Sequence, residues 1–420
     1  MFFIYQFLVF IIILFSPIII LIRIIRNKEH TKRFVEKFSI ISKKKISGNL
    51  VWFHGSSVGE ILSIIPLVEK LEKNNSIEKI LITSSTLSSA SIIKKYKFKK
   101  TVHQFYPVDL IFFTKKFLNY WNPKIAIFIE SEIWPSMFLE LKKNNIPLLL
   151  INARITKKTF NKWFILNLFS KNIFRLIKKA YPQNIQTLRY LKKLNVPKIQ
   201  FIGNLKFTES KQDRSISLNK IFIKQFHNRK IWCASSTHAD EELECAKVHS
   251  TLKKKHKNLL TIIIPRHIHR VNEIKDKIER LGLNVINRSS NKQIKKNTDI
   301  YLVDTYGETK KFYKICKTVF LGGSLIKRGG QNPIEPASLG SKVIHGPFID
   351  NFVDVYKLFH QKKISYKVDN LNQFIEIIDK LIKDKNYNNK YIAVKKIGVR
   401  ILDKTIKEIN LQLKDEIKKT

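Results

Sequence analysis

LVWFHGSSVGEILSIIPLVEKLEK (residues 50–73) passes from strand to helix through a glycine–serine turn. LVWFH (50–54) is apolar at almost every position. GSSVGE interrupts it, and ILSIIPLVEKLEK then carries apolar residues at helical spacing. A strand that is apolar on both sides must be covered on both faces, as in a parallel sheet wrapped by helices. The same unit recurs in KILITS (79–84), PKIAIFIE (123–130) and PLLLINA (147–153). Residues 160–195 read as mainly helical, and KIQFIGNLKF (198–207) closes the first half. A second series then begins, with strand candidates KIWCASS (230–236), NLLTIIIP (258–265), LNVIN (283–287), DIYLVD (299–304), KTVFLGG (317–323) and SKVIHG (341–346). The predicted fold class is α/β, with two successive doubly wound, Rossmann-like domains facing a cleft and ligands at the carboxyl ends of the strands. The expected boundaries are 26–205 and 206–390, with C-terminal helices over 391–420 and a Lys-rich linker from Ser42 to Gly48.

The 420 residues suffice for two full cores. Lys and Arg total 78 against 33 for Asp and Glu, a net charge of +45. That excess is mostly Lys and runs from end to end beside many Ile and Asn, as a compositional bias would produce. It suits an anionic membrane surface, and no nucleic-acid motif accompanies it. The three cysteines, Cys233, Cys245 and Cys316, form no CxxC pair and exclude a disulfide scaffold or cysteine-based zinc ribbon. FFIYQFLVFIIILFSPIIILI (2–22) is uncharged and long enough to span a bilayer core, with a kink at Pro17. It lacks the basic start and small-residue cleavage site of a signal peptide. Residues 1–25 are therefore expected to be a membrane anchor helix, or in a softer version an interfacial one. Arg23, Arg26, Lys28, Lys32 and Arg33 follow it, which predicts a single-pass anchor with the rest of the chain in the cytoplasm.

The polar residues at the strand ends carry the chemistry. In HGSSVGE (54–60), Glu60 is either a first-turn Glu matching the helix dipole or a general base for a sugar hydroxyl. Burial would raise its pKa and the dipole would lower it, so the direction stays open. FIESEIWP (128–135) ends a strand with Glu130 and Glu132, one of which can face a site while the other caps or packs. Arg154 in INARIT (151–156) is a structural ion-pair partner or a site cation, and Lys206 in GNLKF (203–207) a solvated charge or a stabiliser of a leaving phosphate. ASSTHADEE (234–242) offers caps or an anion nest. In PRHIHR (265–270), Arg266 is placed to hold a phosphate, and the rival is a His-x-His metal site. LGGSLIKRGGQNPIEPASLG (321–340) is the most specific stretch. Its glycines let backbone close on phosphates, and Glu335 can accept both hydroxyls of a ribose. It is neither a dinucleotide fingerprint nor a Walker loop, which favours a nucleotide-sugar site.

HGSSVGE, FIESEIWP, INARIT, GNLKF, ASSTH, IIPRH and GGSLIKRGGQNPIEPASLG, in this order, resemble the bacterial 3-deoxy-D-manno-octulosonic acid (Kdo) transferases of lipopolysaccharide synthesis. The resemblance covers about residues 30 to 360. It implies a GT-B glycosyltransferase, with the acceptor on the N-terminal domain and the CMP-sugar on the C-terminal one. It implies inverting transfer of Kdo from CMP-Kdo to the lipid A precursor (lipid IVA) at the cytoplasmic face of the inner membrane, with no metal, no cofactor and no nucleic-acid partner. By matching motifs, Glu60 is the implied proton acceptor, and Glu130 and Lys206 the implied transition-state stabilisers. Pro265, Arg266, Gly307, Glu308, Thr309, Asn332, Pro333, Ile334 and Glu335 are the implied CMP-binding residues. This chain departs from the family pattern in three places. HGSSVGE stands where two alanines usually precede the Ser-Val-Gly-Glu, Gln331 replaces a common His, and Thr309 replaces an apolar residue. The alternatives are another lipid-linked nucleotide-sugar transferase, a sugar-nucleotide epimerase, or a non-catalytic basic protein of the membrane surface.

Overall fold

Two parallel β-sheets organise the computed structural model, which describes residues 1–43, 48–210, 217–384 and 388–418. The first contains β1 (Leu50–His54), β2 (Lys79–Ser84), β3 (Thr101–Phe105), β4 (Ile125–Ile129), β5 (Leu148–Ala153) and β6 (Lys179–Pro182), in the order β3-β2-β1-β4-β5-β6. The second contains β7 (Lys230–Thr237), β8 (Leu259–Pro265), β9 (Val285–Asn287), β10 (Ile300–Leu302), β11 (Thr318–Leu321), β12 (Lys342–His345) and β13 (Ser365–Lys367), in the order β13-β12-β11-β7-β8-β10-β9. The α/β class and the two Rossmann-like sheets are thus as read from the sequence. The first order reverses between β1 and β4 and the second between β7 and β11, with β9 placed outside β10 at the edge. Such switch points open a crevice at the strand C-termini in doubly wound folds.

The chain divides into two compact units, Met1–Ser210 with Gly398–Thr420, and Lys211–Ile397. The expected division at 205/206 is displaced to 210/211. The final segment is one helix, Asn388–Ile417, whose residues from Gly398 belong to the first unit. Gly398 lets that helix approach the Leu205–Phe207 turn, since a Cβ there would lie 2.1 Å from the Phe207 carbonyl oxygen. Most of the linker expected at Ser42–Gly48 (residues 44–47) lies outside the described residues.

The central strands are buried throughout, which is why they read as apolar runs. In the first unit Trp52, Phe117, Trp121, Phe128 and Phe138 form the core. The indole N–H groups of Trp52 and Trp121 are satisfied by Thr83 Oγ1 and Gln104 Oε1, each at 2.9 Å. In the second unit Trp232, Phe320 and Phe374 pack together. All three cysteines are free and buried.

The N-terminal stretch is not one straight helix. Phe2–Leu14 and Ser16–Ile25 are separate helices bent by 53°, with Pro17 in the first turn of the second. Pro17 lacks an N–H to continue the ladder, which accounts for the break. Among the described residues no single helix is long and apolar enough to cross a membrane; the bent pair has the length and composition only when taken together. Among the described residues, two of the five cations that follow the apolar run are in ion pairs, Arg23 with Glu29 at 3.0 Å and Arg33 with Glu36 at 2.8 Å. KIQFIGNLKF makes one isolated bridge, Ala180–Ile199, and ends in the Leu205–Phe207 turn.

Candidate active site

In the first unit the loops leaving β1 and β4 meet at the switch point. Ser57 is extended and caps the helix Val58–Leu71 by accepting the Glu60 N–H at 3.3 Å. Glu60 reaches back, and its Oε2 accepts the N–H groups of Ser56 (2.6 Å) and Ser57 (3.0 Å). This is a capping box. Oε1 takes no hydrogen bond from a described residue. Glu60 is only 8% exposed. Burial, then the charge of Glu132 and more weakly that of Glu130, push its carboxyl up to about 7, against the Ser57 and Ser56 N–H groups, which favour the ionised form. The side chain thus caps the helix, as a first-turn Glu does, and it also holds a proton near neutrality.

Glu132 receives three donors on Oε2: His54 Nε2 at 3.0 Å, Ser56 Oγ at 2.6 Å and Trp134 Nε1 at 2.8 Å. Burial works against its ionisation, but these donors outweigh it and hold the carboxyl below the usual range. His54 is fixed from behind, with Nδ1 3.0 Å from Thr83 Oγ1 and the ring stacked 3.8 Å from Tyr106. Glu132 is thus the fixed negative charge that keeps Glu60 basic.

Glu130 begins the loop after β4 in a left-handed conformation, φ +53°. For a residue with a Cβ that costs about 1 kcal/mol or more, and such strain gathers at functional sites. Its N–H donates to the Ile151 carbonyl and its carbonyl accepts the Arg154 N–H, each at 3.1 Å. Its Oε1 lies 2.7 Å from Lys206 Nζ and 3.3 Å from Asn152 Nδ2. Asn152 also accepts the Leu205 N–H at 2.9 Å, tying the Lys206 turn to the end of β5. The structure thus brings Glu60, Glu130 and Lys206 together in one unit. Lys206 is a paired cation rather than a solvated one. Arg154 forms no ion pair with a described residue and stays half-buried.

In the second unit the nine residues implied for CMP lie at or beyond the C-terminal ends of β8, β10 and β11. Pro265 ends β8; Arg266 follows it, and its N–H donates to the Thr237 carbonyl of β7 at 2.9 Å. Gly307, Glu308 and Thr309 follow β10, and Asn332 to Glu335 follow β11. The last two segments approach one another, with Lys310 Nζ 3.6 Å from Glu335 Oε1. Asn332 Oδ1 accepts the Ile334 N–H at 3.1 Å, with Pro333 between them. Glu308 is consumed internally by Arg288 (3.0 Å) and Thr305 (2.6 Å).

Two features of this unit take shape only in the fold. Glu241 accepts the N–H groups of Gly323, Ser324 and Leu325 at 2.6 to 3.1 Å and so shapes the loop after β11. Gly322 permits that loop to touch β7, since a Cβ would lie 2.5 Å from the Ser236 oxygen and Thr237 Cα. His238 is the other feature. Burial, then His267, Arg328, Arg266 and Arg270, push its imidazole down, which marks a concentration of positive charge. Arg270 is paired with Glu242 at 3.1 Å, whereas Arg266 and Arg328 form no ion pair with a described residue. Among the described residues no group of three or more His, Cys, Asp or Glu side chains is placed to hold a metal ion.

Two doubly wound parallel sheets with charged residues at their carboxyl ends define a GT-B-like α/β protein. A putative UDP-N-acetylglucosamine 2-epimerase from Listeria monocytogenes shares that fold, with a TM-score of 0.60 over 89% of this chain and 98% of its own at 12% identity. Family is decided by sequence. Residues 32–209 match the family model for 3-deoxy-D-manno-octulosonic-acid transferase (kdotransferase). The chain is 32% identical to the 3-deoxy-D-manno-octulosonic acid transferase of Rickettsia bellii over 419 residues, covering 96% of this chain and 98% of the relative. It is also 32% identical to that of Haemophilus influenzae over 314 residues, 73% of each. The chain belongs to the 3-deoxy-D-manno-octulosonic acid transferase family and is a glycosyltransferase.

Proposed function

We propose that this enzyme transfers Kdo from CMP-Kdo to a hydroxyl of the lipid A precursor, with inversion and without a metal, at the cytoplasmic face of the inner membrane. The observation that carries the reading is Glu60: a buried carboxyl at a sheet switch point, held near 7, with one oxygen fixed by the helix cap and the other taking no hydrogen bond from a described residue. A general base works best when its pKa lies near the operating pH. The acceptor hydroxyl gives its proton to Glu60 as its oxygen bonds to the anomeric carbon of Kdo. The bond from that carbon to the CMP phosphate breaks through an oxocarbenium-like state, and its electron pair leaves on CMP.

Lys206, held by Glu130, supplies positive charge that is already oriented before the transition state forms, which spares the cost of reorganisation. Arg266 and the Asn332–Glu335 turn hold CMP, with Arg266 on the phosphate and Glu335 on the ribose. The apolar N-terminal pair and exposed cations such as Arg26, Lys28 and Lys32 suit a bilayer with anionic lipids.

Incubating the enzyme with CMP-Kdo and lipid A precursor, followed by mass spectrometry of the lipid, tests the reaction and counts the sugars. The expected product is lipid carrying added Kdo, and a parallel UDP-sugar arm stays blank. Transfer from UDP-sugars with none from CMP-Kdo overturns the donor assignment.

A further inference from the structure

The bent apolar pair is held at both ends by one short stretch of the first unit. At its start, Tyr5 donates its hydroxyl to Asp109 Oδ2 at 2.7 Å, Gln6 Nε2 donates to Ser136 Oγ at 2.6 Å, and Gln6 Oε1 accepts the Ile111 N–H at 3.1 Å. Asp109 is buried and also receives the Ser136 and Met137 N–H groups, so the first turn of the pair is bonded into a capped helix start. Beyond its far end, Arg23 and Lys37 bind Glu29, Glu36 accepts the Phe105 N–H at 2.8 Å, and the Lys37 carbonyl accepts the Val108 N–H at 2.8 Å.

All these attachments on the sheet side fall between Phe105 and Ile111, apart from Ser136, which Asp109 itself holds. Both ends of the apolar segment are thereby bonded to one and the same unit, and a bilayer crossing would have to pull one of them away from it. Crossing would also strip Asp109 of the Tyr5 hydroxyl and carry the Gln6 amide through lipid. Between the two attachments, Phe7, Leu14, Phe15, Ile18 and Leu21 are exposed, and Arg26, Lys28 and Lys32, which follow in the chain, are exposed too.

We propose that the N-terminal pair is monotopic: it seats its exposed apolar side chains in one leaflet of an anionic phospholipid bilayer and returns to the same side, which clamps the Glu60 unit against the surface. This rests on the membrane location proposed above. The test is a double-cysteine variant of the full chain, Gln6→Cys with Ile111→Cys, in native membranes and in phosphatidylethanolamine–phosphatidylglycerol vesicles. The natural cysteines are buried and stay silent. A short bifunctional thiosulfonate should join residues 6 and 111 in one chain, as it should join a Lys37→Cys/Val108→Cys control pair at the far end. Failure of the first pair alongside success of the control, with Gln6→Cys labelled by an impermeant maleimide from the opposite face of sealed vesicles, overturns the monotopic reading in favour of a span. Protein that neither sediments with membranes nor floats with these vesicles removes the membrane location itself, and the proposal with it.

Discussion

Replacing Glu60 by Gln separates what the carboxylate does for catalysis from what it does to the fold. The carboxyl titrates at about 7 in the folded chain against an ordinary 4.5. Because the folded value is the higher one, the folded state holds the proton more tightly than the unfolded chain. The stability that this contributes is complete below about 4.5 and is lost as pH rises through about 7. The gap corresponds to about 3 kcal/mol, most of which develops between pH 5 and pH 8. Gln keeps an oxygen for the Ser56 and Ser57 N–H groups and does not titrate, so Glu60→Gln should be close to the parent in stability at pH 5 and more stable by about 2 kcal/mol at pH 8. With a urea slope of about 2 kcal/mol per molar, the unfolding midpoints should separate by about 1 M at pH 8. The assay is urea unfolding in detergent at both pH values, followed by fluorescence, to which the core residues Trp52 and Trp121 contribute. The same variant should have lost transfer, while the parent's kcat/KM should fall on acidification with a midpoint near 7. Parallel stability curves for the two proteins between pH 5 and pH 8 would refute the argument, whatever the activity.

Glu132→Gln removes the nearby charge that raises Glu60, so the acidic limb of the kcat/KM profile should move to lower pH; an unmoved limb would detach Glu132 from the base. Glu130→Gln and Lys206→Met should each lower kcat by about 100-fold. Their double-mutant cycle in thermal unfolding should give a coupling of about 1–3 kcal/mol, and an additive result would show that the 2.7 Å pair is not an energetic one. Gly322→Ala sets a Cβ 2.5 Å from two backbone atoms of the β7 end and should cost about 2 kcal/mol together with loss of CMP protection in a thermal shift assay; a parent-like shift would show that the loop has room.

What the sequence made legible follows from what local pattern encodes. Central strands such as Leu50–His54 and Leu148–Ala153 are buried on both faces and so announce themselves as apolar runs. Edge strands need no such run. Thr101–Phe105 is half-exposed over TVH, Ser365–Lys367 has three residues, and Lys179–Pro182 is a four-residue strand inside Lys-rich helical sequence; all three went unread. KIQFIGNLKF, which closes the first half, makes a single bridge at Ile199 and ends in the turn that carries Lys206.

The site divides along the same line. Glu60 was legible because its cap is local: Ser57 and Glu60 are three residues apart, and a strand–turn–helix pattern fixes where they stand. The sign of its pKa was not legible. The helix cap argues for a low value and burial for a high one; burial is the larger, and it is reinforced by Glu132, a residue 72 positions away that keeps its charge because His54, Ser56 and Trp134 converge on one oxygen. Asn152 is similar. Its role as the joint between Glu130 and the Lys206 turn depends on residues separated by 22 and 53 positions. Local sequence thus specifies which carboxylates stand at the strand ends, while long-range hydrogen bonds decide which of them ionises and which waits with a proton. In a basic chain of net charge +45 this division is consequential, since the surrounding cations alone would leave every carboxylate ionised. A carboxyl kept near 7 in such a chain has to be built by burial beside another fixed negative charge, and Glu60 beside Glu132 is that construction.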